Sequence, residues 1–184
     1  MTKEKLPIVE EELDEHSRWF LTAFNKRGIQ AAPNLQMERR QDGTCALFVT
    51  IPSPTSDRRR LISLWLDEKR IPTLQFGAWH THADLWDRIP ESGLQKMLDY
   101  LERIINGEIV LTEFPTVGNA IPHRVLDMAE PDDVLDMLTD PDEPSDMNLL
   151  SWSGYEDDSL NDLRGRPHNK PLKLTVGRGR PPAA

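Results

Sequence analysis

Residues 73–86 constrain the fold of this chain more than any other stretch. They place His80, His82 and Asp84 at positions i, i+2 and i+4, and two of the chain's five tryptophans, Trp79 and Trp86, lie beside them. Because side chains on a β-strand alternate between two faces, the spacing predicts one strand with the three polar side chains on one face. The same parity continues upstream in an apolar set of Leu74, Phe76 and Ala78. The stretch is therefore typical of an apolar strand face that runs into the wall of a pocket.

The surrounding sequence predicts an antiparallel meander that ends in this strand. Alternating apolar residues and an Asp-Gly turn signal predict strands over 34–41, 45–51, 61–67, 73–85 and 108–114, with a short strand and turn over 149–155. Helical periodicity predicts helices over 9–27, 92–106 and 130–138, with Ser92 as an N-cap and Gly28 as a stop. The expected fold is α+β: a four- to five-stranded antiparallel meander packed by an N-terminal and a central helix.

Charge divides the chain into three segments. Residues 1–124 carry a net charge of −2, residues 125–163 carry −13 with no Lys or Arg, and residues 164–184 carry +6 with no acid. The last segment is rich in Gly and Pro and has no apolar face, which is typical of disorder. We therefore expect a single domain over residues 1–163, including the acidic segment 125–163, followed by a disordered basic tail over 164–184.

The composition limits the cellular compartment and the kinds of site that the chain can form. The single cysteine, Cys45, excludes an internal disulfide framework and a cysteine-built zinc site. No apolar run is long enough for a membrane span, and the charged N-terminus lacks the apolar region of a secretory signal. These features favour a cytoplasmic protein without a membrane partner. The sequence contains no Gly-rich phosphate loop or nucleophile elbow, so it offers no positive signal for catalysis.

The histidine pair nevertheless supports one enzymatic alternative. His80, His82 and Asp84 are the ligand types of a two-histidine, one-carboxylate site for a divalent metal, which a hydrolase or an oxygenase would use. The segment from Gly77 to His82 also resembles the metal-binding segment of JAMM-type metalloproteases. The Ser and Asp that follow at fixed spacing in that family are replaced here by Pro90 and Gly93, which removes a zinc ligand. A hydrogen-bonded recognition patch without a cofactor is the other interpretation.

Two charged regions suggest macromolecular partners. The acidic segment, including Asp132, Asp133, Asp136 and Asp140, is suited to a basic protein partner, because complementary charge speeds association. The tail repeats the tetrapeptide Arg-Gly-Arg-Pro, which resembles the core of the AT-hook, a motif that inserts arginines into the minor groove of A·T-rich DNA. The repeats contain Arg164, Arg166, Arg178 and Arg180. A tail that folds back onto the acidic segment is an equally open alternative.

The order of elements and short motifs resembles that of small bacterial α+β proteins, some of which are similar to immunity proteins of polymorphic toxin systems. The resemblance covers residues 10–155. Its motifs are Phe76-Gly77-x-Trp79-His80-x-His82-x-Asp84, Ile104-Ile105-Asn106-Gly107-Glu108-Ile109-Val110 and Ser151-Trp152-Ser153-Gly154. It implies a non-enzymatic inhibitor that binds a cognate toxin. The expected contacts are a pocket edge of Trp79, His80, His82, Asp84 and Trp86 together with the acidic surface.

Overall fold

The computed structural model describes residues 5–29, 31–40, 43–67, 69–113, 125–128, 148–153 and 158–159. It confirms the predicted α+β class. The chain divides into two compact units, residues 1–102 and residues 103–184, and each is described by itself. The helix predicted over 130–138 and the tail predicted over 164–184 lie outside the described residues, and the single domain over 1–163 stays a prediction.

The first unit contains a six-stranded antiparallel sheet whose spatial order is the chain order. Its strands are β1 (Lys5–Leu6), β2 (Asn34–Arg39), β3 (Cys45–Ile51), β4 (Ile62–Leu66), β5 (Pro72–Phe76) and β6 (Trp79–His82). The helices are α1 (Glu15–Arg27) and α2 (Pro90–Ile105), and short 3-10 turns cover Glu10–Glu12, Arg58–Arg60 and Ala83–Leu85. The predicted meander is confirmed, with six strands in place of four or five.

The predicted strand over 73–85 is wrong, because a tight turn divides it. Gly77 has a φ of +57°, a conformation that glycine adopts without the steric penalty of a side chain. Phe76 therefore pairs directly with Trp79 across a two-residue hairpin turn of the kind that needs a positive φ. The chain leaves β6 after His82 and enters the 3-10 turn Ala83–Leu85. Asp84 is thus not a strand residue.

The hairpin also changes which side chains share a face. Residues directly opposite each other in an antiparallel pair lie on the same face of a sheet. His80 is opposite Gln75 and His82 is opposite Thr73. The other face carries a different set, namely Leu74, Phe76, Trp79 and Thr81. The expected continuity of the apolar face with the histidines is therefore wrong, since the histidines lie on the opposite face from Leu74 and Phe76.

The start of α1 differs from the predicted start at residue 9. Asp14 is the N-cap, and its Oδ1 accepts a hydrogen bond from the backbone N–H of Ser17 at 2.7 Å. The backbone N–H of Asp14 donates to the carbonyl of Cys45 at 2.9 Å, and Leu13 forms a parallel bridge with Cys45. These contacts hold residues 13–14 extended, so the helix cannot begin earlier. The predicted stop at Gly28 is confirmed by its φ of +65°.

The first turn of α1 is bonded to the sheet through a buried serine. Ser17 is fully buried, and its Oγ accepts a hydrogen bond from the backbone N–H of Leu47 at 3.1 Å. Phe20 and Phe24, one and two turns further along the same helix, are buried against each other with an edge-on ring contact. The apolar stripe of α1 and the hydroxyl of Ser17 thus lie on one face of the helix.

Helix α2 contributes the second apolar stripe of the first unit. Its fully buried residues recur at helical spacing: Leu94, Met97, Leu98 and Leu101. The helix begins at Pro90 and not at the predicted Ser92, which suits proline at a first helical position. Arg27, the last residue of α1, donates two hydrogen bonds to Glu102, at 2.8 and 2.6 Å, and also pairs with Asp99. This ion pair links the end of α1 to α2.

The second unit contains a four-stranded antiparallel sheet in the order β10-β9-β7-β8. The strands are β7 (Ile109–Glu113), β8 (Val125–Asp127), β9 (Asn148–Leu150) and β10 (Asp158–Ser159). Strand β7 confirms the prediction over 108–114, and β9 confirms the short strand expected near residue 149. Arg103 pairs with Glu108 at 3.0 Å and with Asp127. None of the described helices is both long and apolar enough to cross a membrane.

We predict that Ser17→Ala lowers the free energy of unfolding by about 1–3 kcal/mol, because the buried N–H of Leu47 loses its acceptor. Thr22→Ala is the matched control, since Thr22 is an exposed hydroxyl residue of the same helix whose hydroxyl donates to the Arg18 carbonyl. Its effect should stay within about 0.5 kcal/mol. Urea denaturation of the full chain measures both values. Equal losses in the two variants would contradict the anchoring role of Ser17.

Candidate binding site

The predicted pocket edge is divided between the two faces of β6. Trp79 and Trp86 both contact the ring of Tyr100 on α2, with ring centroids 5.7 Å and 4.6 Å away. The indole N–H of Trp86 donates a hydrogen bond to Thr81 Oγ1 at 3.1 Å. The tryptophans therefore belong to an aromatic cluster with Tyr100, which the sequence analysis missed. Tyr100 follows the buried Met97 by one helical turn. This spacing, which is visible in the sequence, indicates that Tyr100 lies beside the apolar stripe of α2.

The two histidines form a separate pair on the opposite face of β6, which is an edge strand of the sheet. Their ring centroids are 5.5 Å apart with an interplanar angle of 81°. His82 Nδ1 lies 2.9 Å from the hydroxyl oxygen of Thr73, its cross-strand partner. His80 is exposed and His82 is half-buried. The structure thus brings His80 and His82 together and separates them from Trp79 and Trp86.

Asp84 does not share a strand face with the histidines. It is exposed in the 3-10 turn Ala83–Leu85, directly after β6. Within the described part of the chain, no group of three His, Cys, Asp or Glu side chains is arranged to hold a metal ion. The three-residue metal site was inferred from a shared strand face, and that geometry is absent.

The connection between β6 and α2, residues 83–89, exposes two large apolar side chains. Leu85 is 74% exposed and Ile89 is 61% exposed, and Trp86 between them is half-buried. Among the described residues, the other exposed large apolar side chain is Val9, at 41%. Leu85 and Ile89 were not among the contacts predicted from the sequence. Their position among charged residues and outside the apolar stripe of α2 was the signal that they are exposed.

Hydrogen bonds fix the backbone of the 83–89 connection. The N–H groups of Trp86 and Asp87 both donate to the Ala83 carbonyl, at 3.1 and 3.3 Å. Asp87 Oδ1 accepts from the backbone N–H of Ile89 at 3.0 Å. Its Oδ2 accepts from Ser92 Oγ at 2.8 Å and from Lys96 Nζ at 2.9 Å. The hydrogen bond from Lys96, followed by those from Ile89 and Ser92, holds the pKa of Asp87 well below its ordinary value.

Gly93 allows the connection to lie directly against α2. A Cβ at this position would stand 2.4 Å from the Ala83 carbonyl oxygen and 2.9 Å from that of Asp87. Both distances are far shorter than any ordinary carbon–oxygen contact, and both neighbours are backbone atoms. The glycine is therefore required for the close approach and not for helix formation, which glycine disfavours.

A cavity of about 520 Å³ lies beside the connection, between α1 and the turn that joins β4 to β5. Its apolar lining includes Trp19, Ile71 and Pro90. Charged side chains of both signs also line it: Glu15, Asp84, Asp87, Glu91, Lys69, Arg70 and Arg88. His16 lines it as well, and His16 Nδ1 accepts a hydrogen bond from Arg70 at 3.3 Å, since guanidinium only donates. Asp84 therefore belongs to this cavity.

The other predicted contacts fall outside the described residues. They are the acidic set Asp132, Asp133, Asp136 and Asp140 and the tail arginines Arg164, Arg166, Arg178 and Arg180. Their proposed roles in protein and DNA binding stay predictions.

Comparisons of the sequence with models of protein families and with curated proteins, and of the fold with solved structures, gave no match. The resemblance to immunity proteins therefore stays a prediction that rests on the sequence motifs.

The lowered pKa of Asp87 makes its contribution to stability dependent on pH. The carboxylate contributes fully at pH values well above 3.8, its ordinary pKa. Below that value the unfolded chain binds the proton first, so the contribution decreases as the pH falls toward the folded-state pKa. We predict that Asp87→Asn is less stable than the parent chain at neutral pH and that the difference narrows below pH 3.8. Urea denaturation at several pH values measures this difference.

Glu91→Gln is the control for Asp87→Asn, because Glu91 is an exposed carboxylate of the same region. A stability difference for Asp87→Asn that stays constant down to pH 2 would contradict the ionic role of Asp87.

We predict that Gly93→Ala destabilises the chain by about 1–3 kcal/mol, since the added methyl group would displace the Ala83 and Asp87 carbonyls. An exposed glycine in a helix would give the opposite sign, because alanine is favoured there by about 1 kcal/mol. Gln95→Ala, at an exposed position of α2, is the control and should change stability by less than about 0.5 kcal/mol. Thermal and urea denaturation measure both variants, and a more stable Gly93→Ala chain would contradict the close contact.

Proposed function

We propose that this protein is a non-enzymatic binding protein that acts as an immunity-like inhibitor of a basic bacterial toxin. The observation that carries the proposal is the exposure of Leu85 and Ile89 on a backbone that is already fixed. The resemblance in sequence motifs supports the class of partner, and the structure supports the place of contact.

Exposed apolar side chains that cluster on a fixed segment are typical of protein interfaces. Single exposed leucines are common on protein surfaces and need no explanation. Here two of the three exposed large apolar side chains among the described residues lie within five positions of each other and flank a half-buried tryptophan. Tryptophan with neighbouring aliphatic residues is a frequent anchor at the centre of an interface. The 83–89 connection is therefore the contact surface that we assign.

The fixed backbone supports high affinity for a protein partner. Ordering a loop and its side chains on association costs free energy, so a segment that is already ordered binds more tightly than a mobile one. Asp87 supplies much of this order, because its carboxylate accepts three hydrogen bonds from residues on both sides of the start of α2. The contact surface thus meets its partner in the conformation that it already has.

Net charge supports a basic partner. The chain carries −9 overall, and the exposed carboxylates of Asp84 and Glu91 border the contact surface. Long-range attraction between an acidic and a basic protein raises the association rate and discriminates against acidic competitors. Arg88 and Lys69 lie in the same region, so the charge beside the contact surface is mixed and the steering comes from the net charge of the whole chain. We therefore assign the acidic charge a role in steering and the apolar side chains a role in affinity.

The two alternatives from the sequence have less support than a binding protein. The hydrolase or oxygenase hypothesis needed His80, His82 and Asp84 on one strand face, and Asp84 is not on the strand. The DNA hypothesis depends on the tail arginines, which lie outside the described residues. No observation in the described residues favours either over the binding hypothesis.

We predict that Leu85→Ser combined with Ile89→Ser weakens partner binding at least tenfold, because both apolar contacts are lost. The full chain, tagged and purified from its native cells, should retain one stoichiometric basic protein, and a titration of that protein against the variants measures the affinity. Val9→Ser, which removes an exposed apolar side chain elsewhere in the first unit, is the matched control and should retain full affinity.

Three results would contradict this proposal. They are the absence of a stoichiometric partner, an acidic partner, and equal affinity of the double variant and the control for the purified partner. Circular dichroism of the double variant should match the parent chain, because neither side chain is buried.

A further inference from the structure

We propose that His80 and His82 form a two-imidazole binding site for a divalent transition-metal ion, Cu²⁺ or Zn²⁺. The site lies on the face of β6 opposite the tryptophans, and no residue of the 83–89 connection takes part in it. The inference goes beyond the proposed inhibitor function and does not depend on it.

The separation of the two rings fits one shared ion. Metal–nitrogen bonds to imidazole are about 2.0–2.1 Å long, which places the centroids of two imidazoles that share an ion roughly 5 Å apart. The centroids of His80 and His82 are 5.5 Å apart, and the rings stand at 81° to each other. Two histidines at i and i+2 of a strand project from the same face, so the exposed ring of His80 lies on the side from which an ion at His82 would be reached.

Thr73 is the hydrogen-bond partner of His82 Nδ1, and this contact leaves His82 Nε2 as the nitrogen that would bind metal. The Thr73 hydroxyl lies 3.4 Å from the Ile71 carbonyl oxygen, which can only accept, and in the metal-binding arrangement that we propose the hydroxyl donates there. Thr73 Oγ1 then accepts from His82 Nδ1–H at 2.9 Å. His82 Nε2 consequently carries the lone pair. Metal-binding histidines commonly donate their other ring N–H to a fixed neighbour in this way, which orients the ring and raises its basicity.

The surroundings of Thr73 make this neighbour rigid. Thr73 is fully buried in β5, and His82 is its directly opposite cross-strand residue. His80, two residues away, is exposed and supplies the second imidazole at the sheet edge. A buried positioning group, a half-buried ligand and an exposed ligand together give a site that a metal ion can reach from solvent.

The ligand set determines which ions bind best. Imidazole suits copper and zinc, and the order of divalent affinities places Cu²⁺ above Zn²⁺ at such a site. Since no third His, Cys, Asp or Glu of the described residues joins the pair, water completes the coordination. An ion held by two side chains exchanges readily, so the site is a binding site and not a permanent structural centre.

Titration of the full chain with Cu²⁺, followed by calorimetry and by paramagnetic broadening in NMR spectra, tests the proposal. We expect one site whose affinity falls at least tenfold in His80→Ala and in His82→Ala. Broadening should be strongest for the amides of β5 and β6. Zn²⁺ should compete for the same site with lower affinity.

Two further variants separate the proposed roles. Thr73→Val should lower the Cu²⁺ affinity about tenfold or more while both imidazoles remain, because the tautomer and the orientation of His82 are no longer fixed. His16→Ala removes a histidine of α1 and should leave the affinity unchanged. Because His80 is exposed, His80→Ala keeps the fold, and an affinity within twofold of the parent in that variant would overturn the proposal. Broadening centred away from β5 and β6 would overturn it as well.

Discussion

The hydrogen-bonded contact between the start of α1 and the first residues of β3 is the constraint on which the rest of the first unit depends. Strand β4 pairs with β3 only over Phe48–Ile51, so the backbone from Cys45 to Leu47 needs other partners on that side. The Asp14 N–H and the Ser17 hydroxyl supply them. A buried backbone group without a partner costs about 1–3 kcal/mol, so these two hydrogen bonds hold the first turn of α1 against the start of β3. Arg27 then ties α1 to α2, and α2 positions the connection that begins the candidate site.

Local patterns predicted the parts of the fold that depend on local sequence. The hairpin of β2 and β3, the end of α1 at Gly28 and the buried stripe of α2 all followed from turn chemistry and periodicity. The division of residues 73–85 did not, because Gly77-Ala78 is a weak turn signal within an apolar alternation. The phase of the alternation was nevertheless informative. The apolar residues are even-numbered at Leu74 and Phe76 and odd-numbered at Trp79 and Ala83, and such a shift marks a turn.

The sequence located the candidate site but not its composition. Residues 79–86 do contain the aromatic cluster and the histidine pair, yet the two groups lie on opposite faces. The parts that were missed depend on contacts between separate elements, which turn chemistry and periodicity do not describe. Gly93 is required by two carbonyls of the preceding turn, and Thr73 matters because the register of β5 and β6 places it opposite His82. Neither relation is visible until the register and the helix position are known.

The two faces of β6 assign different chemistry to one short strand. On one face, the aromatic cluster with Tyr100 holds the strand against α2 and sets the direction in which the 83–89 connection leaves the sheet. Leu85 and Ile89 then gain little from folding, because most of their surface stays in water, so burial within the chain does not explain why both are apolar. On the other face, His80 is exposed, His82 is half-buried, and Thr73 contacts His82 Nδ1. Since α2 and the sheet supply the stability of this region, the exposed pair Leu85 and Ile89 and the pair His80 and His82 are both available for the binding roles that we propose.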